Sequence, residues 1–321
     1  MAHLLEIRDL SVEFDSDDGV VHAVNGVSLH LDAGERLGLA GESGCGKSVT
    51  AMSIARLVPS PPGRVVSGSI RFDGEEMLTM PPQRLRQFRG ARIGIVFQEP
   101  MTALSPLHRI GDQLTEALRL HRRMNSSEMK ALALQWLGRV GIAEPARCFH
   151  AYPFELSGGM RQRVMIAMAL LLEPSLVIAD EPTTALDVTI QAQILELLRE
   201  ATAGGDRALL LITHDLGVIW EMCTRVVVMY GSQVMEEAPR AEFFRNPLHP
   251  YTRALLDSVP SRQDDPAKVT GIPGSVPSLL QPPTGCPFAS RCPRAVSQCH
   301  SCRPAWRQPA DGHFVACHLV Q

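Results

Sequence analysis

The stretch GESGCGKS, residues Gly41–Ser48, constrains the fold of this chain more than any other feature. It fits the pattern G-x-x-x-x-G-K-S, and it lies between a short apolar stretch, ERLGLA, and a segment of helical character that ends before Pro59. Backbone N–H groups in a loop that opens a helix can surround a phosphate, with the lysine on the β- and γ-phosphates and the serine on Mg²⁺. We therefore predict a strand, a phosphate-binding loop and a helix here, rather than a chance glycine-rich turn.

A second apolar stretch, SLVIADEP, ends in the adjacent acids Asp180 and Glu181. A carboxylate at the end of a buried strand can hold Mg²⁺ through water, and its neighbour can orient and deprotonate an attacking water. Taken alone, two acids at a strand end are more simply explained as a helix cap. Together with the phosphate loop, they predict a site for nucleotide hydrolysis.

Apolar periodicity places these motifs in an α/β protein. The stretches LLEIRDLSVEF and VVHAVNGVSLHL alternate with period two around the turn DSDDG, which predicts an antiparallel β subdomain. A helical pattern fills much of residues 99–160 and predicts a helical subdomain. From Arg161 onward, helices alternate with the strands SLVIAD, ALLLIT and RVVVMY, which is typical of a mostly parallel, covered sheet.

Composition excludes several classes of protein. The 31 basic and 34 acidic residues give a formal net charge of −3, so no nucleic-acid partner is expected. The longest apolar run, Val164–Leu172, has nine residues, about half of what a bilayer span needs. Acids at Glu6 and Asp9 argue against a secretory signal. We expect a cytosolic protein that meets a membrane only through partners.

The order of the motifs resembles that of the nucleotide-binding subunits of ABC transporters. The stretch LSGGM resembles the signature of that family, and Gln98 in IVFQEP resembles the Q-loop. Asp187, at the end of TALD, resembles the D-loop, and His214 in LLITHDL resembles the H-switch. The resemblance implies a P-loop ABC-type ATPase core that uses ATP and Mg²⁺, with two such domains closing head-to-tail on the nucleotide.

The resemblance also implies a role for each matched residue. Glu181 is the general base, His214 steadies the γ-phosphate and the water, and Gln98 senses Mg²⁺ and reports to the membrane partner. The residues implied to contact ATP within the subunit are Phe14, Gly41, Glu42, Ser43, Gly44, Cys45, Gly46, Lys47, Ser48, Val49 and Gln98. Those implied near Mg²⁺ are Ser48, Gln98 and Asp180. Those implied to reach the ATP of the other subunit are Ser157, Gly158, Gly159 and Met160.

Two of these positions leave alternatives. Phe14 resembles the aromatic residue that stacks on adenine, although a core phenylalanine explains it nearly as well. Met160 stands where the general signature has glutamine. Because the serine and the glycines contact phosphate, we expect ATP hydrolysis to survive this difference.

Four further stretches resemble the dipeptide and oligopeptide permease ATPases: FQEPMTALSP, ADEPTTALDVTIQAQI, ITHDLGVI and NPLHPYTRALL. They imply a peripheral subunit on the cytoplasmic face of the bacterial inner membrane that powers peptide uptake. The implied partners are two transmembrane permease subunits, a second ABC ATPase (a paralogue rather than a copy) and an extracytoplasmic peptide-binding protein. Importers of nickel, haem or another solute, and soluble non-transport ABC ATPases, remain as alternatives. An ABC-class ATPase of chromosome maintenance or DNA repair would insert hundreds of coiled-coil residues between the Q-loop and the signature. Only 59 positions separate Gln98 from Ser157 here, so that type is excluded.

The composition changes after residue 258, so we predict an ABC domain over 1–258 and a second region over 259–321. Six prolines in the first 25 residues of that region suggest a linker. Five cysteines follow within 32 residues, and reduced thiols in the cytosol favour metal binding over disulfides. The resemblance to peptide-permease ATPases implies a 4Fe–4S cluster on Cys286, Cys292, Cys299 and Cys317.

Zinc stays an alternative for this tail, because Cys299 and Cys302 form the C-x-x-C pair CHSC, which is typical of zinc sites. Cys302 is therefore an alternate ligand. The histidines that could also contribute are His300, His313 and His318.

Overall fold

The computed structural model of the chain describes residues 3–183, 188–203, 205–258 and 271–320. The strands are β1 (Leu5–Ser16), β2 (Gly19–Leu31), β3 (Arg36–Ala40), β4 (Gly63–Phe72), β5 (Glu75–Glu76), β6 (Ile93–Val96), β7 (Leu176–Asp180), β8 (Ala208–Ile212), β9 (Arg225–Tyr230), β10 (Gln233–Pro239), β11 (Trp306–Ala310) and β12 (His313–Ala316). The helices are α1 (Lys47–Ile54), α2 (Pro82–Phe88), α3 (Pro100–Ala103), α4 (Ile110–His121), α5 (Ser126–Arg139), α6 (Pro145–His150), α7 (Gly158–Leu170), α8 (Val188–Ala201), α9 (Leu216–Met222), α10 (Arg240–Arg245), α11 (Pro250–Asp257) and α12 (Ser297–Ser301).

Backbone contacts divide the chain into two units. The first unit takes the described residues of 1–32, 36–79 and 212–321, and the second takes those of 33–35 and 80–211. The predicted D-loop residue Asp187 lies outside the described residues, as does the first half of the proline-rich segment, 259–270. No helix in the part of the chain that the structure describes is long and apolar enough to cross a membrane.

The first unit contains an antiparallel sheet with the strand order β2-β1-β4-β5. The predicted hairpin is present: β1 pairs with β2 from Leu5 opposite Leu31 to Ser16 opposite Gly19. Its apolar side chains at Leu5 and Ile7 are buried, as period-two alternation requires. This sheet is the predicted antiparallel β subdomain.

A second sheet of the first unit has the strand order β11-β12-β10-β9-β3. Strand β3, which precedes the phosphate loop, runs parallel to β9, and β9 is antiparallel to β10. The tail hairpin of β11 and β12 joins this sheet, because β12 pairs with β10 at Glu236 opposite Val315. The cysteine-containing tail is thus continuous with the sheet that carries the phosphate loop, and sequence periodicity did not predict β10, β11 or β12.

The second unit contains the strand order β8-β7-β6, with β6 and β7 parallel. Helices α4, α5 and α6 pack together and form a helical layer. Asn125 and Glu128 form a reciprocal capping box that starts α5, and such a box satisfies two otherwise unpaired N–H groups. Buried residues Ile110, Leu114 and Leu118 recur every fourth position along α4, so one face of that helix supplies the core of the layer.

Two helix boundaries differ from the sequence interpretation. Helix α7 begins at Gly158, not at Arg161, because the Ser157 side chain caps its first turn. Helix α1 ends at Ile54, whereas the helical pattern continues to Leu57. Arg56 has a positive φ of 52°, a backbone conformation that a helix cannot continue through.

Candidate functional site

The phosphate loop connects β3 to α1 in the first unit, as the sequence predicted. Two of its glycines are required by their surroundings. Gly41 and Gly46 have φ of 146° and 98°, and a Cβ at either position would overlap a carbonyl oxygen, that of Met229 or of Ala23. Only glycine tolerates both the conformation and the close approach. The loop is therefore held tightly against β9 and β2.

Lys47 is buried, with a relative exposure of 6%. Its Nζ donates hydrogen bonds to the carbonyl oxygens of Gly41 at 2.9 Å and Glu42 at 2.8 Å. Cys45 is also buried, and its Sγ lies 3.6 Å from the same ammonium group. Because it is buried, the Cys45 side chain fills space beneath the loop, and burial raises the pKa of its thiol.

The start of α1 is suited to bind an anion. Gly46 occupies the N-cap position without a side-chain hydrogen bond to the first turn, so the first N–H groups of the helix are not capped by this residue. Such N–H groups carry partial positive charge and bind phosphate readily. Ser48 and Val49 are half-buried in this first turn, and Ser43 and Gly44 are exposed in the loop.

The second unit carries the acidic strand end. Asp180 closes β7 and is 3% exposed. Glu181 follows with a positive φ of 45°, which turns the chain sharply after the strand. Gln98 donates from Nε2 to Oε2 of Glu181 at 3.2 Å. The structure thus brings together the two side chains that the sequence singled out as Q-loop residue and general base.

The signature stretch forms the exposed start of α7. The Oγ atom of Ser157 accepts a hydrogen bond from the Met160 N–H at 3.3 Å, and a Cβ at Gly158 would meet nothing within 4 Å. Gly159 and Met160 are half-buried. The Arg161 guanidinium anchors the turn by donating to the Pro153 carbonyl at 2.7 Å. The Ser157 cap occupies one N–H group of the first turn, and the other N–H groups at this exposed helix start can bind an anion.

His214 and Phe14 both belong to the first unit. His214 is exposed two residues after the end of β8, and the next residue, Asp215, caps α9 by accepting from Gly217 N at 2.8 Å. Phe14 is half-buried in β1, where it lies opposite Val21. The stacking of Phe14 on adenine stays a prediction, with core packing as its alternative.

The tail cysteines form a pocket of their own in the first unit. It is lined by the four residues that the resemblance implied, Cys286, Cys292, Cys299 and Cys317. Burial raises the pKa of the Cys286 thiol to about 11 and also raises the pKa values of Cys292 and Cys317.

Cys302 does not line this pocket. It is exposed, and its Sγ lies 3.8 Å from Nε2 of His318, a residue at the pocket wall. His313 points elsewhere, since its Nε2 donates to Glu236 at 2.7 Å. His300 is exposed on α12. The structure separates the four pocket cysteines from the alternate ligand.

His249 is a pocket residue that the sequence did not single out. Its Nδ1 accepts a hydrogen bond from the Tyr251 N–H at 3.0 Å, which places the ring proton on Nε2. Burial lowers the pKa of this histidine to about 4, so the ring is neutral. Nε2 is buried and has no hydrogen-bond partner among the described residues.

Comparison with known proteins decides the family. The family model described as ABC transporter matches residues 24–184, half of the chain. This chain belongs to the ABC transporter ATP-binding family. A second family model, described as the C-terminal region of oligopeptide/dipeptide transporters, matches residues 235–299 of this ABC ATPase. That match begins in β10 and ends at the third pocket cysteine.

Two relatives cover nearly all of this ABC ATPase. The dipeptide transport ATP-binding protein of Bacillus subtilis strain 168 is 46% identical over 319 residues, 99% of this chain and 95% of the relative. The oligopeptide transport ATP-binding protein of Salmonella typhimurium strain LT2 is 47% identical over 301 residues, 94% of this chain and 89% of the relative. These similarities place the protein in the peptide-transporter branch of the family.

Solved structures agree on the fold. The dimeric post-hydrolysis state of an ATP-binding cassette bound to ADP and phosphate has a TM-score of 0.67 and 27% identity, and it covers 74% of this chain and 98% of that one. A component of an ABC transporter complex from Clostridium perfringens has a TM-score of 0.62 and 26% identity, and it covers 77% and 92%. The predicted ABC ATPase fold is confirmed.

Two side chains that hold the phosphate loop were missed by the sequence analysis. The Tyr251 hydroxyl accepts a hydrogen bond from the Glu42 N–H at 2.9 Å. Arg291 donates to both carboxylate oxygens of Glu42. These contacts join positions 209 and 249 residues apart, and no local sequence signal could have located them.

Proposed function

We propose that this ABC ATPase powers the uptake of dipeptides or oligopeptides by a bacterial importer. The observation that carries the proposal is similarity to peptide-transport ATP-binding proteins over the tail as well as the ATPase core. Because the tail lies outside the nucleotide motifs, its match separates the peptide branch from ABC proteins that share only the ATPase. No feature of the described residues favours nickel, haem or a non-transport role.

In this proposal ATP and Mg²⁺ bind at the phosphate loop. The loop N–H groups and Lys47 hold the phosphates. Ser48, Gln98 and Asp180 hold Mg²⁺, which neutralises charge on the phosphates when bound. The uncapped start of α1 and the buried lysine fit such an anion.

Glu181 takes a proton from water as the water oxygen bonds to the γ-phosphorus and the bond to the β-phosphate oxygen breaks, which releases ADP. The hydrogen bond from Gln98 fixes the orientation of that carboxylate. His214 donates to the γ-phosphate. The signature, Ser157–Met160, contacts the ATP of a second ATPase subunit, a paralogue in this proposal.

The tail pocket is suited to hold a 4Fe–4S cluster. Four cysteine thiols are the usual ligand set for such a cluster, and the four line one pocket. The unpartnered Nε2–H of His249 at the same pocket fits a sulfur acceptor, as outer hydrogen bonds to metal-bound sulfur commonly do. A bound cluster would cross-link four points of the tail; zinc on the same thiols is the alternative.

The remaining partners follow from the importer role. Two transmembrane permease subunits and an extracytoplasmic peptide-binding protein complete the complex, and this chain lies peripherally on the cytoplasmic face of the inner membrane.

Reconstitution tests the function. The complete complex is placed in proteoliposomes, and phosphate release is measured with the binding protein empty, loaded with a dipeptide or oligopeptide, or loaded with nickel or haem. The proposal expects stimulation of hydrolysis by peptide and its loss in Glu181→Gln. Stimulation by nickel or haem alone would reassign the cargo.

Metal content tests the pocket separately. Protein purified without oxygen should contain about four irons and four acid-labile sulfides per chain and be brown. One zinc per chain and no colour would replace the cluster with the alternative.

A further inference from the structure

Arg291 uses every donor of its side chain. Nε donates to the Pro273 carbonyl at 2.9 Å. One terminal nitrogen donates to Glu42 Oε2 at 2.7 Å and to the Tyr230 hydroxyl at 3.0 Å. The other donates to Glu42 Oε1 at 3.1 Å and to the Ile272 carbonyl at 2.8 Å. A guanidinium has five N–H groups, so this one is fully satisfied.

The surroundings make this ion pair stronger than a surface contact. The Arg291 side chain is 5% exposed and that of Glu42 is 25% exposed. The pair is bidentate, the geometry that gives an arginine and a carboxylate both strength and fixed orientation. The Glu42 carboxylate holds the pKa of Arg291 above its usual value. The contact therefore persists where a solvated pair would exchange with water.

Glu42 is the second residue of the phosphate loop, and each of its polar groups is held. Its N–H donates to the Tyr251 hydroxyl, its carbonyl accepts from Lys47, and its carboxylate accepts from Arg291. The two following loop residues, Ser43 and Gly44, are exposed. Glu42 is thus held in place by hydrogen bonds, and the exposed part of the loop begins directly after it.

Arg291 also belongs to the cysteine segment. It directly precedes Cys292, and Phe288 of the same segment contacts the rings of Tyr230 and Tyr251. Both tyrosines contact the Glu42–Arg291 pair or the Glu42 backbone. The pocket wall and the loop are therefore joined by one continuous set of side chains within the first unit.

We propose that Arg291 is a positioning residue for ATP binding, which holds the phosphate loop through Glu42 and makes the cysteine segment part of the nucleotide site. The inference rests on the proposed role of Gly41–Ser48 as that loop. A loop already fixed in its binding conformation loses less conformational freedom when the phosphates arrive. Release of Arg291 should therefore weaken nucleotide binding more than it slows the chemical step.

The test measures binding of the Mg²⁺ complex of a non-hydrolysable ATP analogue to the purified full-length chain by calorimetry. Arg291→Met and Glu42→Gln should each raise Kd about tenfold, which corresponds to about 1.4 kcal/mol. The Kd of the double variant should be no higher than the higher of the two single-variant values, because both substitutions remove the same interaction. Arg291→Lys should recover only part of the affinity, since lysine cannot make the bidentate pair. The matched control is Arg303→Met, which removes an exposed arginine of the same tail.

Steady-state hydrolysis adds a second readout. In Arg291→Met the KM for ATP should rise while kcat changes little. Unchanged Kd and KM in both Arg291→Met and Glu42→Gln, with only a lower Tm, would overturn the inference by showing a purely structural pair. If Arg291→Met does not fold, Glu42→Gln decides the matter, because it leaves the carbonyl contacts of Arg291 intact.

Failure of the underlying assignment would look different. Wild-type protein that does not bind the nucleotide would refute Gly41–Ser48 as the phosphate loop, and this inference with it. Normal wild-type binding with unchanged variants would refute the inference alone. Neither result depends on the cargo of the transporter.

Discussion

Substitutions of Glu236 test whether buried hydrogen bonds hold the cysteine-containing tail to the rest of the first unit. This carboxylate lies in β10 and is fully buried. It accepts hydrogen bonds from the Leu248 and His249 N–H groups, each at 2.8 Å, and from His313 Nε2 at 2.7 Å. It therefore ties together the start of α11 and the strand β12 that leads to Cys317.

The structure sets the size of the effect. Glu236→Ala would leave three donors unpaired, two of them fully buried, and each buried unpaired donor costs about 1–3 kcal/mol. Removing one partner of a buried charged contact costs about 3–5 kcal/mol in total. We expect the free energy of unfolding to fall by that amount, which lowers Tm by roughly 5–7 °C for a chain of this size. The free energy of unfolding of Glu236→Gln should lie between those of Glu236→Ala and wild type, because the amide keeps one acceptor oxygen.

Urea unfolding and limited proteolysis measure the outcome. Glu236→Ala should unfold at lower urea and be cut early within the tail. Glu116→Ala, which removes an exposed carboxylate on α4, should match wild type in both assays. A Glu236→Ala protein with a wild-type midpoint and proteolytic pattern would show that these hydrogen bonds do not hold the tail.

Three further experiments test the nucleotide site and the tail pocket. Glu181→Gln should bind ATP but hydrolyse it about 10²–10⁴-fold more slowly, since an amide cannot accept the proton of water; single-turnover phosphate release measures this, and an active variant would remove Glu181 as the base. Gly46→Ala should lose nucleotide binding, because φ is 98° at this position and the new Cβ would overlap a carbonyl oxygen of β2. Gly158→Ala, the control, should bind nucleotide normally in the isolated chain. Calorimetry measures both Kd values, and equal values would contradict the loop geometry. Cys292→Ser should lose bound metal and Cys302→Ser should keep it, as assayed by iron, sulfide and zinc per chain; equal loss in both would place Cys302 in the site.

Local patterns predicted much of this fold. The period-two alternation in β1 and β2 and the apolar runs of β7, β8 and β9 each report burial within one element. Such patterns need no knowledge of the partner element. The motif GESGCGKS likewise carries its strand, turn and helix in one stretch, so the phosphate loop is recognisable from the residues of that stretch alone.

Other elements carry no such local pattern. Strand β10 has the sequence QVMEEAP, and its acids Glu236 and Glu237 are both buried. Burial of these charges is tolerated because His313, 77 residues away, contacts Glu236, and Arg225 of the paired strand β9 contacts Glu237. Strand β11 is exposed along its length and contains Pro309, so neither hydrophobicity nor propensity marks it as a strand.

The sequence by itself determined the class of this protein: a phosphate loop, an acidic strand end and a signature helix start, each complete within a few consecutive residues. Only the tertiary structure decided that the tail is built into the same unit and that Arg291 binds the loop residue Glu42 across 249 positions. The physical reason is that a motif depends on neighbouring backbone geometry, whereas a buried ion pair depends on sheet pairing and packing that bring distant segments together. Because the two segments are far apart in the sequence, the cysteine tail looks like a separate appendage there. In the structure it belongs to the same unit as the phosphate loop.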